Sequence, residues 1–598
     1  MNSGLVAKAR NFLHRHWRRA LSWREKLVLN EEAFHLLLAG IVGVIGALVN
    51  LFFFYAVHLI QPGDPVEVAG QLNDWERILV PTLGGLAAGL VLHWGLRLVG
   101  PQGSTNLLEV VVAGDGRLPF RTEFVKTISA IISIATGASI GREGGITQLA
   151  ATLSSKLGQF AQWPPYRLRL LVGCGAASGI AAAYNAPIAG AVFASLIVLG
   201  NFSMNLFAPL AFSSVIAAMV SRSFFGIEPW YQIPPFPAAT LPQLPWFVLL
   251  GALCGAVGAV FLKLLRLGET QFRKLNWPVY LRLTLAGLIV GVIAIGFPGV
   301  CGNGYSVTNS LLHEEFLTRH QPLLWLAGLV VAKWVATAAT VGAGTVGGVF
   351  TPTMFVGAGT GALFAVAIHQ LGGAAGGVPA GAFALVGMGA VLAATTRSPL
   401  LAMILIFELS LDYSLVPPLM LACVVSILVA RQMHGGSIYS DHLRVKGLAF
   451  GQETSRPGAI MEQTVGDLMQ APVPPVRETT ALREIADRFL TNPNNFLPVV
   501  DAQQRLLGVV ALQDLKEFLN SASDLGAVIA SDVMRPPPKC LTPDQRLLEA
   551  LPAVLASELR NVPVVNNPAE NKLVGAVVRA EVLAIFSEAI AAKSDPTR

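Results

Sequence analysis

The chain has 598 residues, too many for one domain; 53% are hydrophobic, only 13% are charged, and the formal net charge is +6. Soluble globular chains carry roughly 25% charged residues, and here the shortage of charge lies before residue 435, so most of the chain belongs in lipid. So small and dispersed a positive charge gives no support to nucleic-acid binding.

Residues 1–31 form a basic segment. Lys8, Arg10, Arg15, Arg18, Arg19, Arg24 and Lys26 precede the first apolar span and predict a cytoplasmic N-terminus under the positive-inside bias. No short apolar core with a cleavage site follows the initiator, so no removable signal peptide is expected. Between Glu32 and Asp64 there is no Asp, Glu, Lys or Arg, a length sufficient to cross a bilayer with tilt. Further apolar spans follow near 78–96, 124–140, 146–158, 170–200, 207–220, 244–262, 283–298, 322–341, 353–370, 380–396, 398–411 and 415–430. Many are short and interrupted by Gly or Pro. Broken helices at membrane depth are tolerated where they are buried in protein or line a cavity.

One interruption carries charge. Gly141-Arg142-Glu143-Gly144-Gly145 sets a carboxylate among glycines inside a long apolar region. A buried acid at membrane depth is costly and points to function. The flanking glycines let backbone N–H groups converge at a helix start, which makes an anion site, and Glu143 sits where such an anion would sit.

The region repeats itself. Leu171-Val-Gly-Cys-Gly-Ala-Ala-Ser-Gly-Ile-Ala-Ala-Ala-Tyr-Asn-Ala-Pro187 returns, two residues shorter, as Leu385-Val-Gly-Met-Gly-Ala-Val-Leu-Ala-Ala-Thr-Thr-Arg-Ser-Pro399. Thr136–Gly145 has a looser counterpart in Gly342–Pro352. Interrupted helices at matching places in two repeats, about 32–222 and 244–430, point to a binding site near the midplane.

After a linker at 443–463 the composition changes. Short β-type runs at Leu497–Asp501 and Leu506–Val510 with a helix at Ala481–Leu490 return as Val562–Val565 and Leu573–Val578 with a helix at Arg546–Leu559. This reads as a soluble α/β tail holding one unit twice, at 464–521 and 531–586. The five cysteines lack metal or redox spacing and are expected in the core.

Four segments offer anion chemistry. Gly103-Ser104-Thr105 has a hydroxyl, Gly141–Gly144 a helix start and a carboxylate, Gly347-Gly-Val-Phe-Thr-Pro352 backbone donors before a helix, and Ser437-Ile438-Tyr439 a phenol. Hydroxyls and helix N-termini replace hydration with partial charge, without trapping the ion as a buried Lys or Arg would. Together these segments resemble the CLC family of chloride channels and chloride/proton antiporters. Gly103-Ser104 resembles the start of the family's GSGIP motif, Gly141–Gly145 resembles GREGP, Gly348–Pro352 resembles GxFxP, and Tyr439 and Lys126 match a coordinating tyrosine and a family lysine. The resemblance covers about residues 32–442, and the tail matches the paired CBS domains of many members.

The resemblance implies an all-α polytopic membrane fold, an inverted repeat of broken helices, with a cytoplasmic tandem CBS domain of α/β type. It implies that Ser104 and Tyr439 hold a central chloride, that backbone N–H groups around Gly144, Gly145, Ile146, Val349 and Phe350 add to that site, and that Glu143 is a gate that leaves on protonation. It implies a homodimer in a bacterial inner membrane. Blander readings stand beside these roles: Glu143 as a first-turn acid, Ser104 as a helix cap, Tyr439 as an interfacial aromatic, Lys126 as a structural partner.

The departures bear on mechanism. The first motif reads Gly-Ser-Thr-Asn-Leu, without the family's proline. Antiporters carry a proton-transfer glutamate ten residues after the proline of Asn185-Ala-Pro187, where this chain has Ile197, which cannot relay a proton. This favours a passive Glu143-gated chloride channel; the alternative is a chloride/proton antiporter, and behind both stand a fluoride-selective or a non-conducting regulatory homologue. Glu408, at the matching place in the second repeat, reads as structural. A divalent-cation transporter would need several convergent carboxylates, and only Glu143 lies at plausible depth. The chain therefore reads as a transporter of anions rather than an enzyme, with no cofactor expected beyond an adenine nucleotide at the CBS pair. There the family's Ser/Thr and Asp positions hold Ala511 and Asp514 in the first repeat and Val578 and Glu581 in the second, so both hydroxyls are missing.

Overall fold

The computed structural model describes residues 31–100, 107–112, 115–163, 165–200, 202, 204–226, 231–318, 322–370, 377–441, 464–491, 496–511, 528–537, 539–557, 559, 561–579 and 581–582. The basic segment up to residue 30, Ser104, the linker 443–463 and Asp514 lie outside the described residues. The chain divides into two units, Met1–Phe450 and Gly451–Arg598.

The first unit is helical. Its helices are α1 (Glu31–Ile60), α2 (Pro65–Gln71), α3 (Asp74–Val99), α4 (Leu107–Val112), α5 (Phe120–Ala135), α6 (Glu143–Phe160), α7 (Pro165–Tyr184), α8 (Pro187–Phe193) and α9 (Met204–Phe225). Then follow α10 (Leu244–Lys274), α11 (Val279–Gly296), α12 (Tyr305–Leu312), α13 (Pro322–Ala343), α14 (Phe350–Gln370), α15 (Ala380–Thr396), α16 (Pro399–Ser410) and α17 (Val416–Met433). Eight helical stretches among the described residues are long and apolar enough to cross a membrane.

Three differences from the sequence reading have local causes. The span expected at 170–200 is not one helix. It breaks between α7 and α8, where Asn185 takes φ 59° and Pro187 starts the next helix in its favoured first position, and it ends in a π turn at Ala194–Val198. Helix α10 runs well past its expected end at 262, because Leu262, Leu265 and Phe272 continue the buried face while Lys263 and Glu269 fall on the more exposed side. The short helices α2, α4 and α12 fall below the length that an apolar-span search detects.

The repeat is visible in the packing. Helix α1 packs on α9 as α10 packs on α17, α6 on α7 as α14 on α15, and α3 on α5 as α11 on α13; α3 and α11 join the two halves. The breaks match as well. Gly137 and Gly344 turn at φ 96° and 94°, and Asn185 and Arg397 at φ 59° and 61°, each of the latter two residues ahead of a helix-starting proline. Small residues let the helices approach, since lipid supplies no hydrophobic drive between them. Where α14 crosses α15, a Cβ on Gly361 would collide with the Phe383 carbonyl, and every residue of α15 is buried.

The tail unit holds β1 (Val476–Arg477), β2 (Phe496–Val500), β3 (Leu506–Ala511), β4 (Asn561–Val565) and β5 (Leu573–Val578), with longer helices at Leu482–Thr491 and Leu547–Ala556. Strand β1 runs parallel to β2; β2 pairs antiparallel with β3, and β4 with β5, each with one irregularity at the equivalent place, Val499/Val500 and Val564/Val565. The leader of each half serves the other: Gln470 exchanges backbone bonds with Ala576 at 2.9 and 3.0 Å, and Arg535 with Val509 at 2.8 and 3.1 Å.

Candidate functional site

Two glycine-rich breaks, one from each repeat, meet. Gly141 donates to the Gly348 carbonyl and Gly348 to the Gly141 carbonyl, both at 2.8 Å. This bridge brings the start of α6 against the start of α14. The first N–H groups of a helix have no partner within it, so the two helix starts present donors to one small volume.

Glu143 fills that volume. It is the first residue of α6 and only 2% exposed. Its side chain reaches across to the other repeat: Thr351 N–H donates to Oε1 at 3.1 Å, and the Thr351 hydroxyl donates to Oε2 at 3.0 Å. Tyr184, at the end of α7, lies 2.9 Å from the Thr351 hydroxyl and is fully buried. Around this core Arg142 stacks over the Tyr305 ring at 5.8 Å, and Tyr305 meets Tyr231 edge-on at 4.8 Å. Arg142, Tyr184, Tyr231 and Tyr305 are all buried.

A cavity of about 630 Å³ opens on the other side of Glu143. Its wall includes Glu143, Gly144, Thr147 and Gln148 from α6, Gly347–Phe350 before and at the start of α14, Phe193 from α8, Leu107 and Leu108 from α4, and Tyr439. Phe193, Phe350 and Tyr439 form an aromatic collar with ring centroids 5.7, 6.1 and 6.2 Å apart. Arg266, Glu269, Thr270 and Arg273 of α10 and Asp441 make its charged end.

The segment that carries Tyr439 is fixed at both ends. Ile438 donates to the Thr395 carbonyl at 3.0 Å, Arg397 donates to the carbonyls of Ala430, His434 and Gly436, and Asp441 pairs with Arg266 and lies 3.0 Å from His434 Nε2. The phenol ring is thereby held on the cavity wall by contacts to three helices.

The expected site residues divide into two groups. Glu143, Gly144, Val349, Phe350 and Tyr439 line one cavity. Gly145 and Ile146 do not. Gly145 backs onto Phe53, and Ile146 is buried in the core with its N–H given to the Arg142 carbonyl at 3.1 Å, an ordinary helical bond that leaves no donor for an ion. The glycine-rich donors of the second repeat are also partly engaged, Gly348 by Gly141 and Thr351 by Glu143. Ser104 lies outside the described residues, although α4, which follows it, reaches the cavity.

Ile197 lies in the π turn, 8% exposed and packed in the main apolar core. Lys126 Nζ stands 4.0 Å from Glu123 Oε2, apart from the cavity lining. Glu408 caps α8, accepting from Ile188 N–H at 2.8 Å and Ala189 N–H at 2.6 Å. In the tail, Ala511 and Val578 end equivalent strands without a hydroxyl, and Glu581 is exposed beside Gln470 Nε2 at 3.4 Å. The four membrane-unit cysteines are buried thiols. Among the described residues no group of three His, Cys, Asp or Glu is placed to hold a metal ion.

Sequence reasoning missed Thr351 and Tyr184 as partners of Glu143. Thr351 stood inside a quoted motif and Tyr184 inside the quoted repeat, but nothing in spacing says that positions 143, 184 and 351 meet.

A family model described as voltage gated chloride channel matches residues 84–431, and the CBS domain model matches 465–521 and 530–588. A putative chloride channel protein ClcB-like of Ralstonia nicotianae is 42% identical over 420 residues, covering 68% of this chain and 96% of its own. The voltage-gated ClC-type chloride channel ClcB of Escherichia coli strain K12 is 34% identical over 425 residues, covering 68% and 99%. The crystal structure of a eukaryotic CLC transporter, 19% identical, superposes with a TM-score of 0.65 over 92% of this chain and 97% of that one, a likeness of fold. With half the chain under the family model and both relatives matched almost end to end, this protein belongs to the CLC family of anion-transporting integral membrane proteins and carries a pair of CBS domains behind its membrane unit.

Proposed function

We propose that this protein conducts chloride passively through the cavity between the repeats, gated by Glu143. The observation that carries the reading is the position of the Glu143 carboxylate, which takes the first-turn N–H and hydroxyl of Thr351 that an anion would otherwise take. A carboxylate is an anion tethered to the wall. Ionised, it holds the seat; protonated, it loses the charge that makes those bonds strong, and the side chain yields to a mobile ion. Tyr439 contributes its phenol, Gly144, Val349 and Phe350 line the ion's approach, and Ser104 is assigned the matching hydroxyl.

Passive conduction is favoured over exchange because the inner position of a proton path holds Ile197, an apolar side chain in apolar surroundings. The names of the two relatives, both chloride channels, point the same way. One observation favours chloride/proton exchange as the second reading: Glu269 lines the charged end of the same cavity, and an acid there could take a proton from the cytoplasm. We further assign the N-terminus and the tail to the cytoplasm of a bacterial inner membrane, and two copies to the assembly.

The test is flux in liposomes under a chloride gradient with an internal pH dye. Wild-type protein should dissipate the gradient without moving protons, Glu143→Ala should make flux faster and independent of pH, and Ile197→Glu should leave chloride selectivity unchanged. Stoichiometric uphill proton movement by the wild type, lost in Glu269→Gln, would replace the channel reading with exchange. An unchanged flux in Glu143→Ala would remove the gate.

A further inference from the structure

We propose that the Thr351 and Tyr184 hydroxyls form a latch that holds Glu143 in its seat and sets the pH at which the gate opens. This rests on the reading of Glu143 as the gate and names what holds it.

With Glu143 ionised, the direction of the hydrogen bonds follows from chemistry. Ionised Glu143 only accepts, so the single hydroxyl proton of Thr351 points to Oε2. Thr351 then has no proton left for Tyr184, and in the 2.9 Å contact between the two hydroxyls Tyr184 is the donor. The result is a chain of two donors, Tyr184 to Thr351 to Glu143, aimed at a negative charge. Each bond polarises the next, and burial of all three groups keeps water from competing. The three residues come from α7, α14 and α6, so the latch ties both repeats to the gate.

The two Thr351 bonds favour the charged carboxylate over the neutral one. A protonated carboxyl brings a donor to a place already supplied with donors, and it loses the charge-assisted part of both Thr351 bonds. The latch therefore resists protonation and keeps the gate closed to lower pH. The other ionisable groups facing Glu143 are Arg142 at its own helix start, Tyr305 on α12, Tyr231 in the loop before α10 and Tyr439 after α17. Arg142 pulls the same way as the latch. The phenols stay neutral over the range in which a carboxylate titrates, so they are not the switch.

The experiment is chloride flux against pH in liposomes with full-length protein. Thr351→Val keeps shape and removes the hydroxyl, and should move the midpoint of the flux–pH curve upward by about one unit, since one charge-assisted bond is worth at least the free energy of such a shift. Tyr184→Phe acts through Thr351 and should move it the same way by a few tenths of a unit. Thr351→Ser, which restores the donor, should return the midpoint to the wild-type value, which a merely structural role for the methyl group would not do. In a Glu143→Ala background neither substitution should matter. Midpoints unmoved in Thr351→Val and Tyr184→Phe, with flux made pH-independent by Glu143→Ala, overturn the latch and leave the gate standing. A wild-type pH curve in Glu143→Ala overturns the gate itself. Should Thr351→Val fail to fold, Tyr184→Phe decides the same question.

Discussion

The closed seat of Glu143 leaves no room for one more carbon. A Cβ built on Gly348 would stand 2.5 Å from Glu143 Oε1 and 2.7 Å from the Gly144 nitrogen, against 3.4 Å and more for ordinary contact. Gly348 is not among the glycines with positive φ, so alanine is conformationally acceptable there, and its N–H and carbonyl remain available to Gly141. Gly348→Ala is therefore a steric wedge aimed at the gate. Overpacking by a methyl group costs about 1–3 kcal/mol. If that cost falls on the closed state alone, the ratio of open to closed rises roughly 5- to 150-fold, at 1.4 kcal/mol per factor of ten. The assay is initial chloride efflux from liposomes at neutral pH, where the proposed gate is expected to be closed. Gly348→Ala should be several-fold faster than wild type and less dependent on pH. The double variant Gly348→Ala/Glu143→Ala loses the carboxylate contact and keeps only the clash with the Gly144 nitrogen, so Gly348→Ala should speed flux less in the Glu143→Ala background than in wild type; coupling between contacting residues is what such a cycle measures. Equal and additive effects in the two backgrounds, or wild-type efflux in Gly348→Ala, would show that the seat seen here is not what closes the protein.

Three further outcomes follow from the packing. Glu408→Gln keeps one acceptor for the start of α8 but loses the charge, and should lower thermal stability in detergent by about 1–2 kcal/mol at this half-buried site, with Glu408→Leu lower still; equal melting of all three would remove Glu408 as the cap. Lys333 is fully buried, with Nζ bonded to the Val300 and Gly302 carbonyls at 3.0 and 3.1 Å and standing 4.9 Å from the Phe355 ring. Lys333→Met should destabilise by about 1–3 kcal/mol, the cost of stranding buried acceptors less the relief of burying no charge, and should leave anion selectivity unchanged in flux assays; altered selectivity would place Lys333 in the pathway instead. Gly361→Leu should abolish folded, monodisperse protein on size exclusion, since the Phe383 backbone of α15 occupies the added side chain's place; normal elution would show that the α14–α15 crossing is not so close.

The membrane repeat and the doubled tail could be read in one dimension because both are patterns along the chain. Glycine breaks and proline starts recur at matching places, and the tail repeats its helix–strand–strand order. The places where the reading fell short share a cause. Apolar length finds spanning helices and passes over α2, α4 and α12. It also runs through the Asn185 turn, because Tyr-Asn-Ala-Pro is apolar enough to look continuous. The family resemblance implied Ile146 at the ion, but one helical turn on, its N–H already has a partner.

Amino-acid order alone determined broken apolar helices, an acid, Glu143, at a glycine-rich helix start and no acid at Ile197, and its resemblance to the CLC family implied anion transport. Those are statements about which groups exist and what a low-dielectric setting requires of them. Only the tertiary structure decided which groups hold Glu143. The Gly141–Gly348 bridge, the reach of Glu143 across to Thr351, and the Tyr184 hydroxyl behind Thr351 join positions from three helices and two repeats. A hydrogen bond is decided within tenths of an ångström, and sequence spacing carries no such distance between residues so far apart in the chain.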